Sequence, residues 1–234
     1  MIILDDRLRT IASFVRRGSL VADVGCDHAY LSIWLVKNNI ARRVIASDIN
    51  EKPLYKAQKN IAAEGVSELI TLRHCSGLSG IEQNNPDDII IAGMGGEQII
   101  SILEEARFLR KEGKRLILQP MTRPERLRLA LIRMGFTIKD ESLAAAEGWI
   151  YQIICAEYLE APSKSLTPAE YLLGKHIIAR GGALFEKYLD RHINLTAARL
   201  SAKRNAKHEC EDEQLLLHEL ISIQKRALSG AAVK

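Results

Sequence analysis

Val21-Ala22-Asp23-Val24-Gly25-Cys26-Asp27-His28-Ala29-Tyr30 is the stretch from which the fold is read. A short apolar run ends in Asp-Val-Gly, a small polar turn follows, and Leu31-Ser32-Ile33-Trp34-Leu35-Val36 continues as a helix. Strand, tight turn, helix is the first unit of an open α/β sheet, and ligands in such sheets bind beyond the carboxyl ends of the strands. A glycine at that turn lets the backbone approach a ligand closely, and the helix N-terminus offers free N–H groups. Asp48 closes the strand Val44-Ile45-Ala46-Ser47. An acid roughly 20 residues past such a turn takes the ribose hydroxyls of an adenosine cofactor.

Upstream, Leu8, Ile11, Ala12, Phe14 and Val15 recur at helical spacing after Leu4-Asp5-Asp6-Arg7, and Arg16-Arg17-Gly18 ends that helix. Downstream, Pro53 sits in the first turn of a helix that stops near Gly65. Leu69–Arg73 reads as a third strand, followed by Ser76-Gly77-Leu78. Asp88-Ile89-Ile90-Ile91-Ala92 is a fourth, its unbroken apolar run suiting a parallel strand covered on both faces. Gly93-Met94-Gly95-Gly96 leads into a helix from Glu97 to Leu109. A fifth strand, Arg115–Gln119, is expected to stop at Pro120, and a helix runs from Pro124 to Gly135. Phe136–Glu141 and Ile150–Tyr158 are joined by Ala144-Ala145-Ala146-Glu147-Gly148, a hairpin rather than a crossover, so the last strand is expected to be antiparallel. The expectation is an α/β fold: a seven-stranded doubly wound sheet, Rossmann-like, over residues 1–160. Residues 161–234 follow as a separate module. After the linker 161–168 come two amphipathic helices, about 183–208 and 211–228, expected to pair antiparallel as a coiled coil through Leu184, Tyr188, Leu195, Leu216, Leu220 and Ile223.

The composition, 234 residues with 47% hydrophobic and 26% charged, is that of a globular protein and excludes disordered and fibrous classes. A net charge of +4 permits a polyanionic partner without demanding one. Cys26, Cys75, Cys155 and Cys210 have neither metal-ligand nor redox spacing, so no metal is expected and the thiols read as reduced, in a cytoplasmic protein. No apolar run is long enough to span a bilayer, so no membrane partner is expected.

Two cofactors are common on such sheets, a nicotinamide dinucleotide and S-adenosylmethionine. The dinucleotide fingerprint wants glycines where Asp27 and Tyr30 stand. A carboxylate repels a pyrophosphate but attracts a sulfonium or ammonium, so the turn favours S-adenosylmethionine. Gly93, Gly95 and Gly96 leave room for a flat group close to the backbone. Nothing pairs a serine with a histidine and an acid as a hydrolase would.

Asp23-Val24-Gly25-Cys26-Asp27-His28-Ala29-Tyr30-Leu31, Ile91-Ala92-Gly93-Met94-Gly95-Gly96 and Leu118-Gln119-Pro120 together resemble the bacterial tRNA adenine-N1 methyltransferase family acting on position twenty-two. The resemblance covers nearly the whole chain, including Arg7-Leu8 and the C-terminal helices. It implies S-adenosylmethionine as methyl donor, tRNA as substrate and a C-terminal coiled coil that helps hold the tRNA. Three positions depart from the family pattern: Cys26 for a serine, Ser76 for an acid, and Met121 for an asparagine. Asp48 and Asn50 also differ, though Asp48 suits the ribose role.

On this reading Asp23, Gly25, Asp27, Asp48, Ile49, Ser76, Gly77, Leu78, Gly93 and Met94 bind the cofactor. Asp27, His28 and Tyr30 are the catalytic candidates. Arg7, Gly95, Gly96, Gln119, Pro120, Arg199, Lys203, Arg204 and Lys207 are the substrate-binding candidates, with Arg123, Arg126 and Arg128 as an alternative basic surface. The protein is expected to be a monomer. Two rival readings remain open at this point: a small-molecule methyltransferase, which would not need the basic hairpin, and an RNA-binding module without catalysis.

Overall fold

The computed structural model describes residues 2–159, 165–206 and 208–228. The chain divides into two compact units, Met1–Ser163 and Lys164–Lys234. In the first, the strands are β1 (Ser19–Val24), β2 (Ala41–Asp48), β3 (Ile70–His74), β4 (Asp88–Gly95), β5 (Arg115–Thr122), β6 (Phe136–Ala146) and β7 (Trp149–Tyr158). They form one sheet in the order β3-β2-β1-β4-β5-β7-β6. Neighbours from β3 to β5 are parallel, and β7 runs antiparallel to both β5 and β6.

Helices cover both faces. Helices α1 (Asp6–Ser13), α2 (Tyr30–Lys37) and α3 (Glu51–Ala63) pack Ile11, Ile33, Leu35, Ala57 and Ile61 on one side. Helices α4 (Gly96–Glu105) and α5 (Pro124–Arg133) pack Ile99, Leu103, Leu127 and Leu131 on the other. The isoleucine run of β4 supplies both layers: Ile90 points to the first, Ile89 and Ile91 to the second, and none is exposed. This double burial is why the strand reads as an unbroken apolar stretch. Asp5 caps α1 by accepting from the Leu8 N–H at 2.7 Å.

Strand β5 does not stop at Pro120. It pairs with β7 only from Arg115 to Leu118. Beyond Leu118 its far side has no partner in that ladder, so the missing proline N–H breaks no bond there. Opposite Pro120 the β4 ladder is irregular: Ala92 pairs with Gln119 and Met94 with Pro120, leaving Gly93 as an extra residue at φ +75°. A second irregularity lets Gly95 face Thr122, with Met121 left over. Such bulges re-aim side chains at the end of a strand. The β6–β7 hairpin is longer than expected, its ladder running to Ala146–Trp149. The turn is only Glu147-Gly148, both at positive φ, as a two-residue hairpin turn requires.

Gly96 opens α4 where a Cβ would meet the carbonyl oxygens of Thr122 at 2.6 Å and Arg123 at 2.8 Å. These are backbone atoms, so packing accounts for this glycine. Arg128 is not a surface cation. It is fully buried, donating to Glu141 Oε1 at 2.7 Å and to Gln152 Oε1. A guanidinium in that position cannot reach a phosphate.

The second unit holds α6 (Pro168–Leu173), α7 (Lys175–Arg180), α8 (Ala183–Asn205) and α9 (Glu211–Leu228). Neither α6 nor α7 was expected. Helix α6 is announced by a capping box in which Thr167 and Glu170 bond reciprocally, with Pro168 at the first helical position. Helices α8 and α9 are antiparallel: Lys203 near the end of α8 pairs with Glu213 near the start of α9, and Gln224 donates to Asp190. Of the expected seam, Tyr188, Leu220 and Ile223 are buried, and Leu184 and Leu216 half-buried. Leu195 is 42% exposed, and Thr196 takes the covered position between Leu189 and Leu200. Helix α8 is about 35 Å long at about 1.5 Å per residue.

Removing one partner of the buried Arg128–Glu141 pair leaves the other charge uncompensated. Arg128→Met should cost about 3–5 kcal/mol in urea unfolding, and adding Glu141→Leu should restore most of it. Equal stability of the single variant and the parent would show that the pair carries no such load.

Candidate cofactor and substrate site

The strand order reverses direction between β1 and β4, and crevices at such points receive ligands. The turn after β1 is fixed by backbone: the N–H groups of Gly25 and Cys26 both donate to Ser47 O, at 2.8 and 2.9 Å. Gly25 takes φ +73°, Asp27 +48° and Ala29 +58°. A non-glycine residue at positive φ is uncommon, so this turn carries strain at two positions. Asn60 of α3 braces it by donating to His28 O at 3.0 Å.

Asp23 ends buried and accepts from Ser32 Oγ of α2 at 2.6 Å. Burial pushes its pKa up to about 6; the Ser32 bond works against that rise and the nearby Asp48 charge adds to it. Asp48 keeps one oxygen on Asn50, accepting from its N–H at 2.9 Å and its side-chain amide at 3.2 Å. The other oxygen accepts weakly from Asp27 N–H at 3.4 Å. Burial, with the charges of Asp23 and Asp48, drives the Cys26 thiol far above its usual range, so it remains neutral.

Two cavities meet here and share Gly25, Ala92 and Gly93. One, of about 350 Å³, is lined by Asp48, Ile49, Ser76, Gly77 and Met94. The other, of about 270 Å³, is lined by Arg7, Asp23, Asp27, His28 and Tyr30. Asp27 Oδ1 lies 3.6 Å from His28 Nε2, and the His28 ring lies 5.6 Å from that of Tyr30. The candidates expected for cofactor and for chemistry thus gather on two adjoining chambers. Leu78 lines neither; it is buried beneath Gly77 and borders a separate cleft with Phe108.

Gln119 and Pro120 do not face the cavities either. Gln119 is fully buried, and its Oε1 accepts from Arg7 at 2.9 Å and from the bulged Gly93 N–H at 3.1 Å. It acts on the site through Arg7, whose guanidinium also lies 5.6 Å from the centre of the Tyr151 ring. Gly95 and Gly96, packed against Thr122, line neither cavity. Asn50, Asn60, Ser32 and Tyr151 were missed by sequence reasoning. Their roles depend on pairings across the fold, and only Asn50, two residues from Asp48, carried a local signal.

On the second unit Arg199 and Arg204 are exposed, while Lys203 is held by Glu213 at 2.6 Å, which raises its pKa. Lys207 lies outside the described residues. Of the alternative surface, Arg126 is paired with Glu97 at 2.9 Å and Arg123 lies 3.9 Å from Glu125. Among the described residues, no group of histidine, cysteine and carboxylate side chains could hold a metal ion, and no helix is long and apolar enough to cross a membrane.

The paired chambers fit an adenosyl-methionyl group. A Cβ on Gly25 would run into Met94 Cε and narrow the opening between them. Asp48 and Glu105 line the first chamber, and Asp23 and Asp27 the second.

Residues 4–154 match the family described as "Methyltransferase domain". The tRNA (adenine(22)-N(1))-methyltransferase of Bacillus subtilis is 35% identical over 154 residues, which span 66% of this chain and 65% of that protein. The crystal structure of Streptococcus pneumoniae Sp1610, a putative tRNA (m1A22) methyltransferase, in complex with S-adenosyl-L-methionine, is 34% identical. It matches with a TM-score of 0.81 over 97% of this chain and 100% of that one. The B. subtilis m1A22 tRNA methyltransferase TrmK is 29% identical, with a TM-score of 0.80 over 99% of this chain and all of that one.

An ionised Asp23 is a burden on the fold. Below about pH 4 the carboxyl is neutral in both folded and unfolded states and costs nothing. As pH rises from about 4 to about 6 the folded state loses stability relative to a neutral isostere, by an amount on the order of 3 kcal/mol that is complete above about 6. Asp23→Asn should therefore raise the urea midpoint at pH 7.5, with the gain vanishing toward pH 4. A gain independent of pH would contradict the assignment. Asp48→Ala should weaken S-adenosylmethionine binding about tenfold or more in calorimetry, since a carboxylate acceptor is lost; unchanged affinity would remove Asp48 from the ribose role.

Proposed function

The chain belongs to the tRNA (adenine(22)-N1)-methyltransferase family, and on that premise we propose which of its residues carry methyl transfer to N1 of a tRNA adenine. When bound, S-adenosylmethionine supplies an electrophilic methyl group on a sulfonium. Asp48 accepts from the ribose hydroxyls, and Ile49 and Met94, which line the same chamber, give apolar cover. Asp23, in the second chamber, offers its carboxylate to an ammonium or sulfonium.

Adenine N1 is a nucleophile when neutral, so no general base need act before attack. What the protein must supply is alignment and a field that accepts positive charge. The methylated base is cationic and its exocyclic amine becomes more acidic. Asp27 is exposed toward the second chamber and stabilises that charge as it develops; His28, beside it, receives the proton. Tyr30 gives a ring against which the base stacks. Arg7, one N–H spent on Gln119, uses its remaining donors to hold the substrate backbone. The target's Watson–Crick edge must be uncovered, so the base enters unpaired or flipped. Arg199 and Arg204 of α8 contact tRNA phosphates, which positions the substrate without reading its sequence. We infer an enzyme that works as a monomer, and a cytoplasmic one, the location supported by its four free cysteines.

The observation that carries this reading is the gathering of Asp27, His28, Tyr30 and Arg7 around one chamber that shares Gly25 and Gly93 with the other. Incubation with bulk tRNA and methyl-labelled donor, followed by digestion to nucleosides, should yield label in 1-methyladenosine. Label in any other nucleoside would contradict the proposal. Asp27→Asn keeps the shape and removes the charge. At saturating cofactor its turnover should fall about a hundredfold, and parental turnover would make Asp27 structural.

A further inference from the structure

Helix α3 follows directly on Asp48-Ile49-Asn50 and turns Ala57 and Ile61 toward the sheet. Lys52, Tyr55, Lys56 and Lys59 are spaced three and four apart and share the opposite face, over about 10 Å of helix. All four are exposed. Among the described residues none of the three lysines has a carboxylate partner, whereas Lys37 on the neighbouring α2 is paired with Glu64, and Arg42 with Asp87. Tyr55 is 60% exposed, and Lys59 Nζ lies 4.4 Å from the centre of its ring. A tyrosine left in water beside unpaired ammonium groups contributes little to folding. The same pattern, cations that track a backbone with an aromatic face between them, is what a single-stranded or splayed nucleic acid requires.

The position of the helix adds to this. Its N-terminus abuts the rim of the first chamber at Asp48, and through Asn60 it holds the carbonyl of His28 in the catalytic turn. The face is thereby tied rigidly to the loop that carries Asp27. An adenine delivered to the second chamber brings its flanking nucleotides past the outside of that loop, where sugar and phosphate need a surface.

We propose that the face of α3 formed by Lys52, Tyr55, Lys56 and Lys59 is a docking surface for the tRNA strand that flanks the target adenine. The lysines neutralise phosphates, and Tyr55 stacks on an unpaired base. This rests on tRNA being the substrate. It adds to the catalytic unit a contact separate from those assigned to Arg199 and Arg204.

The test is filter binding of bulk bacterial tRNA between about 50 and 200 mM salt. Lys52→Gln/Lys56→Gln/Lys59→Gln should weaken binding at least about tenfold and lower the slope of log affinity against log salt by about 2–3, because fewer counterions are released. The matching lysine-to-arginine triple variant should keep the parental slope. Tyr55→Ala should weaken binding about tenfold with the slope unchanged, as loss of a neutral stacking contact requires. Calorimetric affinity for S-adenosylmethionine should be the same in all of them. If the glutamine triple variant binds tRNA with the parental affinity and slope, the face is solvated surface and the proposal fails. If Tyr55→Ala alone is silent, the stacking role fails. Failure of the parent itself to bind tRNA would overturn the function proposed above rather than this surface.

Discussion

The side-chain amide of Gln119 is the point on which the site depends. Its oxygen, on a fully buried side chain, is the acceptor for both the bulged Gly93 N–H and the Arg7 guanidinium. One buried acceptor therefore ties the end of β4, the end of β5 and the first turn of α1 into a single wall. The bulge frees the Gly93 N–H from the ladder, and the Gln119 oxygen takes it up at 3.1 Å. Gln119 satisfies that donor and sets the direction in which Arg7 faces the chamber.

Around that wall the chain places ionisable groups with opposite consequences. Arg128 is bonded to Glu141 and Gln152, none of which lines either chamber of the site, and their effect is on stability. Asp23 is buried next to another carboxylate with only Ser32 to hold it, so it opposes folding when charged. A carboxylate kept in that condition at the wall of a chamber is suited to a cationic ligand. Strain at Asp27 and Ala29 belongs to the same pattern: two non-glycine residues at positive φ fall in this one loop, and Asn60 and Ser47 hold it from outside.

Much of the sheet was legible in the sequence because its signals are local. The isoleucine run of β4, the first-turn prolines of α3 and α5, and the Asp-Val-Gly turn each point to one structure. Pro120 misled because the rule that proline ends a strand concerns the ladder, and only the pairing of β5 with β7 shows that the relevant edge is free. Arg128 looked like a phosphate ligand because its partners sit 13 and 24 residues away on other strands. Leu195 was assigned to the seam by a helical frame that Thr196 in fact occupies, and α6 was hidden by the polar composition of its surroundings although Thr167-Pro168-Ala169-Glu170 spells its cap. In the site, the turn residues were readable from type and spacing. The buried supports were not, since nothing in the sequence shows that Gln119 points inward.

The most direct measurement of this account is the single-turnover rate of tRNA methylation in Gln119→Leu and Gln119→Glu variants, with folding checked by circular dichroism. Leucine fills the space but accepts no hydrogen bond, so Arg7 and Gly93 lose their common anchor and the rate should fall about tenfold or more. Glutamate retains an acceptor for both and should keep most of the rate. A folded leucine variant that methylates tRNA as fast as the parent would contradict the claim that this buried amide organises the site.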